Sequence, residues 1–425
     1  MNAIFFSLVL VAFLTAAWRQ VQWTGEGISP MDALSQGMVQ SAGGAVELAI
    51  GLVGVMALFL GLMKVAEEGG LLTVIARLIR PLMVRLFPQV PADHPAMGAM
   101  ILNFSANILG LGNAATPFGI RAMQELNRLN TRPGTATDPM VLFLAMNTSS
   151  LTLLPTGVIA LRASAGSADP AAILPTTLFA TLCSTTAAII ACLAYRRFFP
   201  FERGPEDALA ADVAPVVDQS LPEAGKGYPF AVSLLALMAL IALVPLTVLY
   251  GSAIAPWIIP ALMVGFLAFG VVRGVRIYEA FIEGAKEGFQ VALRIIPYLV
   301  AILVAVAMLR ASGALDVFVH WVGAYTATFG LPAEALPMAL LRPLSGSGAY
   351  GVMASIINDP AVGPDSYTGF LVSTLQGSTE TTFYVLAVYF GAIQVRRVRH
   401  ALAAGITADI VGVFAAVAAC SYLFA

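Results

Sequence analysis

The chain alternates long apolar runs with short polar breaks. The runs lie at approximately 3–17, 45–64, 140–161, 172–195, 230–250, 256–272, 292–309, 367–390 and 402–424. Each comes near the roughly 20 residues a helix needs to cross a hydrocarbon core, the first being short. The pattern predicts an all-α polytopic membrane protein. Between the runs, Met31–Gly43 and Ile277–Phe289 are amphipathic, and Leu71–Phe87 sets Arg77, Arg80 and Arg85 among leucines as an interfacial helix does. Met97–Leu126 and Pro337–Ile357 are interrupted by Asn, Ser, Gly and Pro, and read as re-entrant hairpins.

Two crossing runs are polar at their centres. Gln376-Gly377-Ser378-Thr379-Glu380-Thr381-Thr382 sits within 367–390, and Asn147-Thr148-Ser149-Ser150-Leu151-Thr152 within 140–161. Asn147 aligns with Gln376, Ser149 with Ser378, Ser150 with Thr379 and Thr152 with Thr381, at a constant offset of 229 (376 − 147). Single hydroxyls in membrane helices mostly join neighbouring helices. A carboxylate with five polar neighbours instead marks a cavity, a partner or a solute. Leu151 stands where Glu380 does, so the copies differ in charge.

The repetition extends outward. Asp32-Ala33-Leu34-Ser35-Gln36-Gly37 aligns with Glu279-Ala280-Phe281-Ile282-Glu283-Gly284 at an offset of 247 (279 − 32). Each half continues with a broken hairpin, a polar-centred helix and a closing helix. This gives a first repeat at 1–200, a linker with a connecting helix at 201–250, and a second repeat at 251–425. The polar stretch Phe201–Gly227, rich in Pro, Ala and acidic residues, reads as the linker. Four crossings per half plus one between them invert the second copy relative to the first. With the N-terminus in the cytoplasm, 18 of the 22 Lys and Arg fall on the cytoplasmic side, and the opposite placement reverses that ratio. The fold expected is therefore two inverted-topology repeats with re-entrant hairpins and interrupted transmembrane helices.

Composition narrows the function. Of 425 residues, 59% are hydrophobic and 11% charged, against about a quarter charged in soluble domains. A net charge of −2 argues against a nucleic-acid partner. Cys183, Cys192 and Cys420 lie in apolar runs without metal-ligand spacing or a disulfide framework, so no metal site is expected. There is no G-x-x-x-x-G-K-[ST] phosphate loop, so energy would come from a gradient, with Na+ or H+ as the possible coupling ion. No His near Ser and no paired acidic motif point to an intramembrane hydrolase, and the protein is not read as an enzyme.

Inverted repeats with interrupted helices place a solute near the midplane, where the repeats meet. The candidate site combines four segments. The first hairpin enters from the cytoplasm with its tip at Asn103, Ser105 and Asn107, followed by Asn113. The second enters from outside with its turn at Arg342, Ser345 and Ser347. The helix centres add Asn147, Thr148, Ser149 and Ser150, and Gln376, Ser378, Thr379, Glu380 and Thr381. Arg342 and Glu380 are the strong charges there; they either pair or meet a charged solute group. Glu47 and Arg294 hold matched positions of opposite sign and read as structural; Asp409 in the last run is a candidate for a proton relay.

At these residues the chain resembles a fusion of the bacterial spore maturation proteins A and B, in the nucleoside-recognition or Gate domain superfamily. Leu102-Asn103-Phe104-Ser105-Ala106-Asn107 and Gly112-Asn113-Ala114-Ala115-Thr116-Pro117 carry the likeness to A. Pro343-Leu344-Ser345-Gly346-Ser347-Gly348 and Gln376-Gly377-Ser378-Thr379-Glu380-Thr381 carry the likeness to B. More distantly, Gly377-Ser378-Thr379-Glu380-Thr381 is similar to the Gly-Gln-Thr-Glu segment of concentrative nucleoside transporters, and Asn103-Phe104-Ser105 to their Asn-Phe-Ser. Here Asn-Phe-Ser precedes the Glu motif rather than following it, and the base-reading residues have no counterpart. The resemblance implies a shared scaffold, a bacterial inner membrane, a homo-oligomer and a transport-like role, without nucleosides as the substrate. The expected function is a secondary transporter of a small polar or anionic organic solute. The alternative is a non-transporting membrane scaffold or maturation factor.

Overall fold

The computed structural model describes residues 2–25, 27–110, 112–149, 151–200 and 227–424. Among them the chain is helical throughout, with an isolated bridge between Thr135 and Arg397 and no strand. The first half contains α1 Asn2–Val21, α2 Pro30–Glu68, α3 Leu71–Leu86, α4 Pro95–Ile108, α5 Gly112–Arg128, α6 Asp138–Ser149, α7 Thr156–Ser164 and α8 Leu174–Tyr195. The second contains α9 Phe230–Val272, α10 Ile277–Ala311, α11 Ala314–Thr326, α12 Leu336–Leu341, α13 Gly346–Ile357, α14 Tyr367–Ser378, α15 Thr382–Ala392 and α16 Ala401–Phe424.

Local chemistry sets these boundaries. Ser29 accepts from the Asp32 N–H with Pro30 at the first helical position, so α2 starts sharply. Nothing then breaks it for 39 residues. The amphipathic leads Met31–Gly43 and Ile277–Phe289, expected as separate segments, are instead continuous with the apolar runs that follow them, within α2 and α10. Helices α2, α8 and α16 are each long and apolar enough to cross a membrane. The expected interfacial helix at 71–87 is α3, and the first apolar run is α1.

The two repeats meet along a pseudo-two-fold axis, which the packing of α2 on α10 displays. Gly37 packs against Ala307 and Ala311; Gly284, its counterpart 247 residues on (284 − 37), packs against Leu60, Gly61 and Lys64. Those two targets are themselves repeat counterparts, so the contact maps onto itself when the halves are exchanged. Ser41 Oγ donates to Leu303 O at 3.2 Å, and Gly288 faces Met56 and Ala57, so the helices run antiparallel. The centre of the pairing is Ala49, buried with Leu299 and beside Ile296. Helices α8 and α16 repeat the arrangement, with Ser184 Oγ donating to Ala408 O (2.9 Å) and Thr176 near Cys420 across Thr374.

Ionic clamps close both ends. Fully buried Arg162, at the end of α7, reaches Asp365 at the start of α14 (3.0 Å). It also donates to Pro364 O and Ser167 Oγ, and lies over the Phe370 ring. In mirror fashion Arg399, beyond α15, reaches Asp138 at the start of α6 (2.7 Å). Each clamp thus joins the end of one repeat's broken helix to the start of the other's, at opposite faces.

Helix α9 replaces the two runs expected at 230–250 and 256–272. Straight, its 43 residues would span ~64 Å at about 1.5 Å per residue. Yet Tyr228 N–H donates to Arg77 O (3.0 Å) and Arg85 lies over Phe230 at one end, while Arg273 Nε donates to Gly69 O (2.7 Å) at the other. Gly69 lies just before the 16-residue α3, ~24 Å long, and Arg77 and Arg85 lie within it. The two ends of the segment therefore lie closer together than a straight helix of that length allows. Most of the expected linker, residues 201–226, lies outside the described residues.

Two large apolar cores flank the middle of the molecule. One gathers α4, α5, α6 and α15; the other gathers α7, α12, α13 and α14. Each broken helix thus has one half in each core, and its break falls between them.

A Cβ at Gly288 would stand 2.7 Å from Ala57 Cα, whereas one at Gly54 of α2 would meet nothing within 4 Å. Gly288→Ala should therefore cost ~1–3 kcal/mol through overpacking, and Gly54→Ala should gain ~0.5–1 kcal/mol from helix propensity. Thermal unfolding of the detergent-solubilised variants reads both signs; equal effects would contradict the close α2–α10 seam.

Candidate functional site

A helix broken inside an apolar core exposes backbone groups that water cannot reach, so the protein must satisfy them internally. The break between α6 and α7 spans 150–155, and that between α14 and α15 spans Thr379–Thr381, with 12 helical residues before it and 11 after. Thr379 is extended (φ −136°, ψ 165°), which turns its neighbours outward. Glu380 N–H donates to Thr148 O at 2.8 Å, a main-chain bond from one break to the other. Thr181 Oγ1 takes up Ser149 O (3.0 Å).

Both hairpins are tied to these breaks by equivalent main-chain bonds. Leu153 N–H donates to Ile108 O, and Phe383 N–H to Pro343 O, each at 3.0 Å. The second hairpin turns where expected, at 342–345, with Ser345 capping α13 through the Gly348 N–H (3.0 Å). The first differs from expectation. Asn103, Ser105 and Asn107 lie within α4, and the turn comes at Leu109–Gly110, where Gly110 adopts φ +75°. A left-handed glycine ends a helix more decisively than polar side chains do.

Arg342, 6% exposed, is the cation of this region. Its guanidinium donates to Thr379 O and to Thr381 Oγ1 (3.2 Å), so the carbonyl freed by the break becomes its ligand. Glu380 Oε2 lies 3.8 Å away, and the Glu380 side chain is 47% exposed. Arg342 is thus anchored by main chain while its carboxylate partner stays accessible. The pair is a charged centre with one movable member.

Both charges face a cavity of about 320 Å3, lined by all four predicted segments. Asn107 and Gly110 come from the first hairpin, Arg342, Gly346 and Tyr350 from the second, Thr152–Val158 from one break, and Gln376, Gly377 and Glu380 from the other. A larger cavity, about 710 Å3, opens between α2, α10 and the far ends of α7 and α13, with Glu47, Arg310 and Asp359 on its wall. Helices α7 and α13 line both cavities, and between them Tyr350 Oη donates to Gly157 O (3.2 Å).

The predicted residues divide by what their side chains reach. Asn107, Arg342, Gln376 and Glu380 line the smaller cavity; Thr379 and Thr381 hold Arg342; Asn147 stands behind Asn107, accepting its Nδ2 at 2.9 Å. Asn103 lies deeper, donating to Ala115 O (2.8 Å) and to Tyr389 Oη (3.1 Å), which in turn donates to Asn147 Oδ1 (3.4 Å). By contrast, the hydroxyls of Ser105, Thr148, Ser149 and Ser378 donate to their own helices, at Ile101, Ala145, Met146 and Leu375. Ser345 is a cap and Ser347 is exposed. Ser150 and the Asn113 side chain lie outside the described residues, as does the Arg294 side chain. Sequence reasoning passed over Tyr350 and Tyr389, because an aromatic in an apolar run carries no signal of the polar atom it points at.

The nucleoside-recognition (Gate) family profile matches residues 49–165 and 292–396, one stretch in each repeat and together more than half of the chain. Spore maturation protein B of Bacillus subtilis (strain 168) is 45% identical over 166 residues, 39% of this chain and 92% of that protein. Spore maturation protein A of the same organism is 44% identical over 170 residues, 40% of this chain and 85% of that protein. The inner membrane protein YjiG of Escherichia coli (strain K12) is 36% identical over 82 residues, 19% of this chain and 54% of that protein. Among solved structures, CNTnw in an inward-facing substrate-bound state overlaps 97% of this chain and 90% of its own, at 14% identity and a TM-score of 0.46.

Asn147→Ala strips Asn107 Nδ2 and the buried Tyr389 Oη of their shared acceptor, which should cost ~1–3 kcal/mol. Tyr389→Phe leaves Asn103 Nδ2 its bond to Ala115 O and should cost ~1 kcal/mol or less. Chemical or thermal unfolding of the two variants should rank them in that order; the reverse order would contradict the network.

Proposed function

The chain belongs to the nucleoside-recognition (Gate) family, and from that premise we propose that it is a secondary membrane transporter of a small polar or anionic organic solute. The solute sits in the cavity between the hairpin tips and the two helix breaks, at the repeat interface near the bilayer midplane. The observation carrying this reading is the Arg342–Glu380 pair at the cavity wall. An arginine so deep costs several kcal/mol unless it is paired, and a scaffold would have no use for leaving its partner half in the open.

Arg342 offers a planar cation that favours a carboxylate or phosphate on the solute. Glu380, Gln376 and Asn107 supply acceptors and donors for hydroxyls or amides. The larger cavity is the vestibule, and the Tyr350–Gly157 bond is the barrier between vestibule and site. Alternating access is exchange of the two repeats, 1–200 and 251–425, about the two-fold between α2 and α10. The distribution of Lys and Arg supports an N-terminus in the cytoplasm with the vestibule outside. The Escherichia coli relative's printed name, an inner membrane protein, supports the bacterial cytoplasmic membrane as the location.

The scaffold reading draws its support from hydroxyls that bond only their own helices, such as Ser105 and Ser378. A thermal-shift panel on the purified protein separates the two readings. It should include nucleosides, amino acids, dicarboxylates and inorganic phosphate. At least one should stabilise the wild type, and radiolabelled uptake of that compound into proteoliposomes should follow. Glu380→Gln should abolish or uncouple uptake while the protein still folds. Arg342→Gln should weaken binding ~10- to 100-fold, equivalent to ~1.5–3 kcal/mol for a hydrogen bond to a charged group. No stabilising compound, or uptake indifferent to Glu380→Gln, would overturn the transporter reading.

A further inference from the structure

The transporter reading leaves one buried carboxylate unused. Asp409, midway along α16 and 5% exposed, lines neither cavity described above. Its Oδ2 accepts from Thr382 Oγ1 at 2.7 Å, while its Oδ1 has no hydrogen-bond partner. Glycines flank it on the same helix face and let the polar breaks come close. A Cβ at Gly405 would meet Thr382 Cγ2 (2.9 Å) and Thr148 Oγ1 (3.5 Å); one at Gly412 would meet Thr379 Cγ2 (2.9 Å) and Ser184 (3.4 Å). Hydroxyls thus face this region from α6, α8 and both sides of the 379–381 break. The charge that bears on Asp409 is Arg342, and Glu380 in turn bears on Arg342, both from the second repeat; α8 carries no charged residue and α6 carries Asp138 at its start.

Charge bookkeeping then forces a choice. Arg342 contributes one positive charge and Glu380 one negative charge, 3.8 Å apart. An ionised Asp409 would leave a net negative charge deep in the bilayer, which is costly. A metal cation would need a shell of oxygens about it, whereas Oδ1 stands without a hydrogen-bond donor. A proton needs only the oxygen. Helix α8, the first repeat's counterpart of α16, carries no acidic residue, so the charge belongs to one repeat alone.

We propose that Asp409 is the proton-binding carboxyl of this protein, taking up H+ together with an anionic solute at Arg342. The proposal rests on the transporter reading for its partner but not for its test. The step is a protonation of the carboxylate at Oδ1, with no other reactant. Adjacent threonines join the two sites: Thr381 Oγ1 accepts from Arg342, and Thr382 Oγ1 donates to Asp409. Neutralising Asp409 withdraws one negative charge from the cluster and so weakens the repulsion an anion meets beside Arg342, which keeps Glu380 as its partner. Losing the proton restores that charge and disfavours the anion. Solute and proton therefore bind cooperatively, and because their charges cancel, the loaded cluster carries no more net charge than the empty, ionised one.

Infrared difference spectroscopy on the full chain in liposomes, titrated from pH ~5 to ~9 around the unperturbed histidine range, reads the group without any solute. The wild type should show a protonated-carboxyl C=O band that is lost as pH rises. Asp409→Asn should abolish that band and Glu380→Gln should keep it. Asp409→Glu should move the band rather than remove it, which guards against a folding artefact in the Asn variant. A band unchanged by Asp409→Asn overturns the proposal. So does an Asp409 signal that never titrates, and so does one that responds to Na+ at fixed pH. If the band behaves as expected but no solute is taken up, the proton site stands and the transporter reading falls.

Discussion

The structure depends on a constraint that soluble proteins do not face: a helix interrupted in hydrocarbon has no water to take up the backbone groups it frees. Here the two interruptions satisfy each other. Glu380 N–H bonds Thr148 O across the repeats, Thr181 covers Ser149 O, and Arg342 takes Thr379 O. The breaks can exist because they meet, and they meet because the repeats are inverted about one axis. Satisfying the backbone and assembling a site are here one event.

The symmetric scaffold carries an asymmetric charge. Main-chain bonds from hairpin to break, the α2–α10 seam and the two Arg–Asp clamps all have counterparts in both halves. Arg342, Glu380 and Asp409 do not. The first repeat has Leu151 opposite Glu380, and its α8, opposite α16, carries no acidic residue. One half thus supplies amides, notably Asn103, Asn107 and Asn147, and the other supplies ions. Such a division suits a site where shape is read by one wall and charge by the other. It also confines the desolvation cost of ions to one place, where they can offset one another.

Much of this was legible in the chain because hydropathy, repetition and Lys/Arg placement are one-dimensional records of a membrane fold. The offset of 229 between Asn147 and Gln376 located both helix breaks, and the 247 offset at Gly37 and Gly284 located the seam. The hairpin at Arg342–Ser345 was legible because proline and glycine break helices locally. The other hairpin was displaced, since asparagine and serine are polar without being breakers and Gly110 did the breaking instead. The unbroken α2 and α10 were misjudged for the opposite reason, as amphipathicity changes which face is wet but not whether the backbone stays helical.

By itself, then, the sequence determined the class, the inverted pairing of halves and the identity of the polar segments, because each follows from local composition or from a comparison of the chain with itself. Tertiary structure decided which hydroxyls turn back onto their own helices, as at Ser105 and Ser378, and which polar groups reach the cavity, as at Asn107 and Glu380. It also decided that Tyr350 and Tyr389 belong to the polar centre and that Asp409 stands behind it rather than in it. Those outcomes depend on rotamers and on distances between residues hundreds of positions apart, which no local pattern encodes.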